Sequence, residues 1–199
     1  MKIIGLCGGS GSGKGTVASV FSRLQIPSVD TDAVYHHITS YLSPCVLELR
    51  REFGECVVKD GALDRSRLRD VVFDPEFVLK RQPRLNEITH KYVVDEVERL
   101  LSEYEKSGVR GAIIDAPLLI ESRLHEKCDT VIAVVADREV RIARIMLRDS
   151  IDYIRAKNRI DSQMPDVELA KYADIVISNN GTYDELCKAV RAAYDQIFD

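Results

Sequence analysis

Residues Gly8-Gly9-Ser10-Gly11-Ser12-Gly13-Lys14-Gly15-Thr16 follow directly on the apolar run Ile3 to Cys7, and this junction restricts the fold more than any other stretch of the chain. A β-rich run, a glycine-rich turn ending in lysine, and Val17, Val20, Phe21 and Leu24 at helical spacing predict a strand–loop–helix unit. Closely spaced glycines let backbone N–H groups turn toward phosphate oxygens, the following helix adds its positive end, and Lys14 supplies a mobile cation. A flexible Gly/Ser linker has no reason to place a lysine between a strand pattern and a helix pattern. The loop therefore predicts a cradle for a nucleoside triphosphate, formed by Gly11, Ser12, Gly13, Lys14, Gly15 and Thr16. One position is irregular. The usual motif has Ser or Thr after the lysine, where the hydroxyl helps hold magnesium, whereas Gly15 stands there and Thr16 comes one residue late.

Further β-rich runs lie at Ile26–Asp30, Val109–Asp115, Thr130–Ala136 and Ala173–Ser178, mostly continuous rather than alternating in polarity. Such runs suit strands buried on both faces of a parallel sheet. Helical patterns separate them: Val17 to Leu24, a long one through Leu85, Ile88, Tyr92, Val93, Val97, Leu100, Leu101 and Tyr104, and a last one from Thr182 to Phe198. The expected fold is α/β, a doubly wound parallel sheet of five strands. The span Thr31 to Gly108 is too long for one crossover helix and predicts an inserted helical subdomain. Ser43-Pro44, Asp64 and Asp74-Pro75 each have the composition of a helix start, and Gly54 that of a helix end.

With 199 residues, 45% of them hydrophobic, the chain can bury a full core, and a net charge of −4 gives no global basic field for nucleic acid. The five cysteines are scattered, with no Cys-x-x-Cys pair, which argues against a disulfide framework or a zinc site and for reduced thiols in a cytoplasmic protein. No apolar run is long enough to span a membrane.

Ligands of such sheets bind beyond the carboxyl ends of the strands. Asp32, after the second strand run, is the candidate general base for an acceptor hydroxyl, with Asp30 orienting it or helping to hold the water shell of magnesium; capping of the next helix is the competing role for the triplet Asp30-Thr31-Asp32. Asp115 ends the run Ala112-Ile113-Ile114 and is a second candidate for the metal shell, though strands often end in Asp at a turn. Arg65 and Arg69, four apart beside Leu68 and Val72, suit a ligand with phosphate and apolar parts, or else a solvated helix face. Arg141, Arg144 and Arg148 share a helical face, and the polar stretch from Asp149 to Ser162, with Arg155 and Arg159, has the character of a mobile lid over a triphosphate, or else of an exposed helix with ordinary charge balance.

Together these residues resemble the dephospho-coenzyme A kinase family from Lys2 to about Leu186. The resemblance rests on Ile4 to Thr16, Ile26 to Asp32, Phe53-Gly54, Asp60 to Arg65 with Leu68-Arg69 and Val72-Phe73, and Leu85-Asn86 with Ile88 and His90. It continues through Asp115-Ala116-Pro117-Leu118-Leu119 with Glu121, Arg144, Arg148-Asp149, Arg159-Ile160 with Gln163-Met164, Ala173 to Ile177 and Asn179-Asn180-Gly181. It implies transfer of the ATP γ-phosphate to the ribose 3′-hydroxyl of dephospho-coenzyme A, with magnesium as cofactor. In site terms it implies Asp32, Lys14 and Arg144 in catalysis, and the loop with Arg148 and Asn179 at the nucleotide. Arg65, Arg69, Pro117 and Leu118 fall to the acceptor, and Asp30 and Asp115 to the metal. It also implies three parts: a nucleotide-binding core (1–31, 88–148 and 165–199), a helical coenzyme-binding insert (32–87) and a lid (149–164).

The chain is expected to act as a monomer or weak homo-oligomer on a small molecule, without nucleic acid or membrane. Departures from the family pattern fall at Gly15, where Ser is common, around His36, at Ser40 to Pro44, at Lys91 and at Ser178. A nucleoside monophosphate kinase of the same fold is the nearest alternative, because Gly-Lys-Gly-Thr also ends the loop of adenylate-kinase-like enzymes. A GTP-binding switch is more remote, since no Asn-Lys-x-Asp segment is present.

Overall fold

The computed structural model describes all 199 residues, which divide into two compact units, Met1–Val29 with Glu103–Asp199 and Asp30–Ser102. In chain order the elements are β1 (Lys2–Cys7), α1 (Lys14–Arg23), β2 (Ser28–Asp30), α2 (Thr31–Ile38), α3 (Pro44–Phe53), β3 (Val58–Lys59), β4 (Ala62–Leu63), α4 (Arg65–Val72) and α5 (Val78–Lys106). They continue with β5 (Gly111–Asp115), β6 (Thr130–Val135), α6 (Arg138–Asp149), α7 (Tyr153–Asp161), α8 (Asp166–Leu169), β7 (Ile175–Ser178) and α9 (Tyr183–Phe198).

The main sheet has the order β2-β5-β1-β6-β7, with β1 parallel to β5 and β6, and β6 parallel to β7. Strands flanked by helices on both faces explain why β5 is buried at every position and why β1 and β6 lack polar alternation. One face of the core gathers Ile4, Leu6, Ile113, Ile132, Val134 and Ile177 of the sheet under Val17, Val20 and Phe21 of α1 and Leu186 and Val190 of α9. Phe21 is fully buried, which by itself contributes about 2 kcal/mol of apolar transfer free energy. The register pairs Leu6 with Asp115 and Cys7 with Ala133, so the end of β5 lies beside the last residues before the glycine loop.

In the unit Asp30–Ser102 the helix starts fall where side-chain chemistry places them. Ser43 Oγ accepts from Val46 N–H with Pro44 at the first helical position, Asp64 accepts from Arg67 N–H, and Gly54 closes α3. Asp74 starts a turn whose backbone bonds lead into α5, the carbonyl accepting from Phe77 and Val78. Two features depart from the sequence expectation. α5 runs unbroken from Val78 to Lys106 with Pro83 inside it, so the boundary expected at 87/88 falls within a helix. The small hairpin β3–β4 has its signal in Asp60-Gly61, both at positive φ (51° and 78°), the geometry that a two-residue hairpin turn requires. No helix is long and apolar enough to cross a membrane.

Candidate active site

The loop takes its shape from the residues around it. Gly13 caps α1 in the left-handed region (φ 95°) and offers no side-chain oxygen; its carbonyl accepts from Thr16 and Val17 at 3.0 and 3.2 Å. The first N–H groups of α1 therefore face forward without a side-chain cap, an arrangement that favours an anion. Ser12 N–H closes a turn on the Gly9 carbonyl at 3.1 Å, while the Ser12 side chain is fully buried and its hydroxyl has no hydrogen-bond partner.

Lys14 leaves the start of α1 and donates to Asp115 Oδ1 at the end of β5, both side chains being largely buried. The strand order explains the pair: β5 is the immediate neighbour of β1, and parallel register brings Asp115 level with Leu6. Asp115, expected in the metal shell, thus sits at the loop as the counter-ion of its lysine. Pro117 and Leu118 follow in an exposed turn, Leu118 being 61% exposed.

Helix α6 braces the loop from the other side. Arg141, 4% exposed, donates Nε to the Ser10 carbonyl at 2.9 Å and Nη1 to Asp166 at 2.7 Å, and Arg144 donates Nη1 to the Gly11 carbonyl at 3.3 Å. The three arginines expected on one face therefore diverge in role. Arg148, one turn further on, is held by Asp149, whose carboxylate also accepts from Arg159; the Arg148 hydrogen bond is the main cause that keeps Asp149 below the ordinary aspartate range. Helix α7 packs on α6 through Ile142, Ile145, Ala156 and Ile160.

Asn179 follows β7; it is buried and donates Nδ2 to the Ser12 carbonyl at 2.7 Å, so its amide shapes the loop from behind. Cys7, the last strand residue before the loop, has its thiol pushed up to about 11, chiefly by burial, and remains protonated at neutral pH.

Within the other unit, Asp30 accepts from Asp32 and Ala33 N–H and caps α2, while the Asp32 carboxylate is exposed in the first turn of that helix. The cap role anticipated for the triplet thus belongs to Asp30. Arg65 and Arg69 are exposed on α4; Arg65 donates to Thr39 Oγ1 at 3.1 Å and lies over the Tyr35 ring at 5.8 Å. Neither spacing nor polarity singles out Gln163 and Asp166 as site residues. A glutamine in a polar stretch carries no periodic signal, and its partner, Ser10, is 153 residues away.

The dephospho-CoA kinase family model matches residues 2–185 of this sequence. The chain belongs to the dephospho-CoA kinase family. It is 40% identical over 187 residues to the dephospho-CoA kinase of Corynebacterium glutamicum, covering 94% of this chain and 92% of that one. A Thermus thermophilus crystal structure superposes with a TM-score of 0.79 at 31% identity, covering 100% of this chain and 98% of that one. The dephospho-CoA kinase from Campylobacter jejuni shares the fold, with a TM-score of 0.72 at 24% identity over 100% of this chain and 98% of its own. As a dephospho-CoA kinase family member the chain is a kinase with a P-loop fold, and it uses ATP.

Proposed function

We propose that this kinase binds ATP on residues 11–16 and transfers its γ-phosphoryl group to the ribose 3′-hydroxyl of dephospho-coenzyme A. The observation that carries the proposal is the uncapped start of α1, with Lys14 at its first position, in a loop braced by Arg141, Arg144 and Asn179. Phosphoryl transfer depends mainly on positioning and on charge stabilisation, and a loop braced on several sides supplies both. Lys14 and Arg144 stabilise charge on the transferring group, and Arg148 with the 149–164 segment covers the nucleotide. Asp32 takes the proton of the 3′-hydroxyl as the new P–O bond forms and the bond to the bridging oxygen breaks, releasing ADP and coenzyme A. Arg65 and Arg69 hold the phosphates of the acceptor, and Pro117 and Leu118 contact its apolar parts.

The donors at the loop suit magnesium. No group of three or more His, Cys, Asp or Glu side chains forms a protein cage, Gly15 brings no hydroxyl, and Asp115 is the carboxylate at Lys14. Asp115 and Asp30 would hold a magnesium ion through its waters, the rest of its coordination coming from the nucleotide. When bound, the ion neutralises phosphate charge. The enzyme works in the cytoplasm as a monomer or weak homo-oligomer.

The test is a side-by-side assay of dephospho-coenzyme A, AMP and other nucleoside monophosphates as acceptors with ATP. Dominant turnover of dephospho-coenzyme A is expected, and dominant phosphorylation of a mononucleotide would replace the proposal with a nucleoside monophosphate kinase.

A further inference from the structure

Every polar group of Ser10, in the middle of the phosphate loop, is held by residues from the far end of the chain. Its N–H donates to Gln163 Oε1 at 2.9 Å, its Oγ accepts from Gln163 Nε2 at 3.2 Å, and its carbonyl accepts from Arg141 Nε at 2.9 Å. Gln163 and Arg141 also meet each other, Arg141 Nη2 donating to Gln163 Oε1 at 3.3 Å, and Asp166 neutralises Arg141 at 2.7 Å. Arg141 lies so close to the loop that a Cβ on Gly9 would overlap its guanidinium. These side chains line one wall of a cavity of about 310 Å³ that also touches Arg138 and Met164. Because Asp166 already balances its charge, Arg141 is not a spare cation for a phosphate, and because Ser10 N–H is already bonded, it is not one of the loop donors left for ATP.

From this geometry we propose that Gln163 is a positioning residue for the phosphate loop: backed by the Arg141–Asp166 pair, it fixes Ser10 and ties the loop to the end of α7. Gln163 N–H donates to the Ile160 carbonyl at 3.1 Å, so the side chain starts from the last turn of that helix and a shift of α7 is felt at Ser10. The helix over the nucleotide and the loop under it then order together. A glutamine suits this place because one planar amide both accepts from N–H and donates to a hydroxyl.

The inference rests on ATP binding at the loop, and the experiment separates the two. Binding of a non-hydrolysable ATP analogue with magnesium is measured by calorimetry for the wild type and Gln163→Met, with KM for each substrate and kcat alongside. Loss of the two Gln163–Ser10 bonds is expected to weaken nucleotide binding about tenfold and raise KM for ATP to match, with KM for dephospho-coenzyme A within about twofold of wild type. Equal effects on both substrates, or unchanged nucleotide affinity, would overturn the positioning role; a wild type that binds no ATP analogue would overturn the proposed function instead. Amide exchange of the unmodified protein needs no variant. Ser10 N–H should exchange about 10² times more slowly than an unprotected amide, and free exchange at Ser10 would overturn the role even if Gln163→Met failed to fold.

Discussion

Alanine placed at Gly11 and at Gly15, two loop glycines four residues apart, should shift thermal stability in opposite directions. At Gly11 the backbone has φ +79°, a region that costs a residue with a Cβ about 1–2 kcal/mol. The new Cβ would also lie 2.6 Å from the Arg141 carbonyl oxygen and 2.9 Å from its Cα, backbone atoms of α6 that cannot rotate aside, which adds an overpacking cost of about 1–3 kcal/mol. A combined loss of about 3 kcal/mol corresponds, for a protein of this length, to a fall in Tm of about 6–12 °C. Gly15 is in the first turn of α1, is exposed and has no positive φ, and a Cβ there would meet no neighbouring atom within 4 Å. Gly15→Ala should therefore gain about half a kcal/mol from helix propensity and reduced unfolded-state entropy, raising Tm by about 1–2 °C. Differential scanning calorimetry of the two variants without nucleotide is the assay. A Gly11→Ala protein within about 2 °C of wild type, or a Gly15→Ala protein that loses as much as Gly11→Ala, would refute the steric reasoning.

Three other outcomes are expected. Asp32→Asn should lower kcat by about 10² or more with nucleotide affinity nearly intact, and near-normal turnover would remove Asp32 as the base. Lys14→Ala should weaken ATP binding and catalysis together, whereas a variant with normal ATP affinity would show that Asp115 alone uses this lysine. At the start of α9, hydrogen bonds from Thr182 hold Glu185 below the ordinary carboxylate value of 4.5, the backbone N–H bond being the larger cause. The sign follows from the lowered value: this stabilisation is complete above the unfolded-state value and is lost as pH falls through the folded one. The Tm difference between wild type and Glu185→Gln should accordingly shrink below pH 4.5, and a difference that stays constant down the acid range would contradict the capping box.

The parts of the fold legible in the sequence are those governed by local chemistry. Five β-rich runs, the glycine loop between the first of them and a helix, and the caps at Ser43 and Asp64 appear in the structure where local chemistry puts them, with strand ends shifted by one or two residues. The run from Ile26 begins as strand only at Ser28, because the chain is still closing α1 there: Ile26 N–H donates to Phe21. What local rules do not reveal is how side chains far apart in sequence share one role. Arg141, Arg144 and Arg148 have the same spacing and charge, yet depth in the structure gives the first to Ser10 and Asp166, the second to Gly11 and the third to Asp149. Asn179 and Gln163 likewise reach the loop only after β7 and α7 have been packed against the sheet and α6. An aspartate after a strand could equally be a cap or a ligand, and only the assembled chain shows Asp30 taking the cap and Asp115 taking the lysine.

If ATP binds at the loop as proposed, its phosphates meet a lysine that already has a carboxylate partner, Asp115. The ammonium carries three donors, so a phosphate bound there would share the lysine with a carboxylate fixed at the end of β5, and the two anions repel each other. Asp115 would hold the water shell of a divalent cation bound with the nucleotide, and the cation's charge would offset that repulsion. On the proposed reading, the site would favour ATP that arrives with its metal over bare ATP. ATP affinity in a chelator should fall much further for the wild type than for Asp115→Asn, and equal losses in the two proteins would break the link between the pair and the metal.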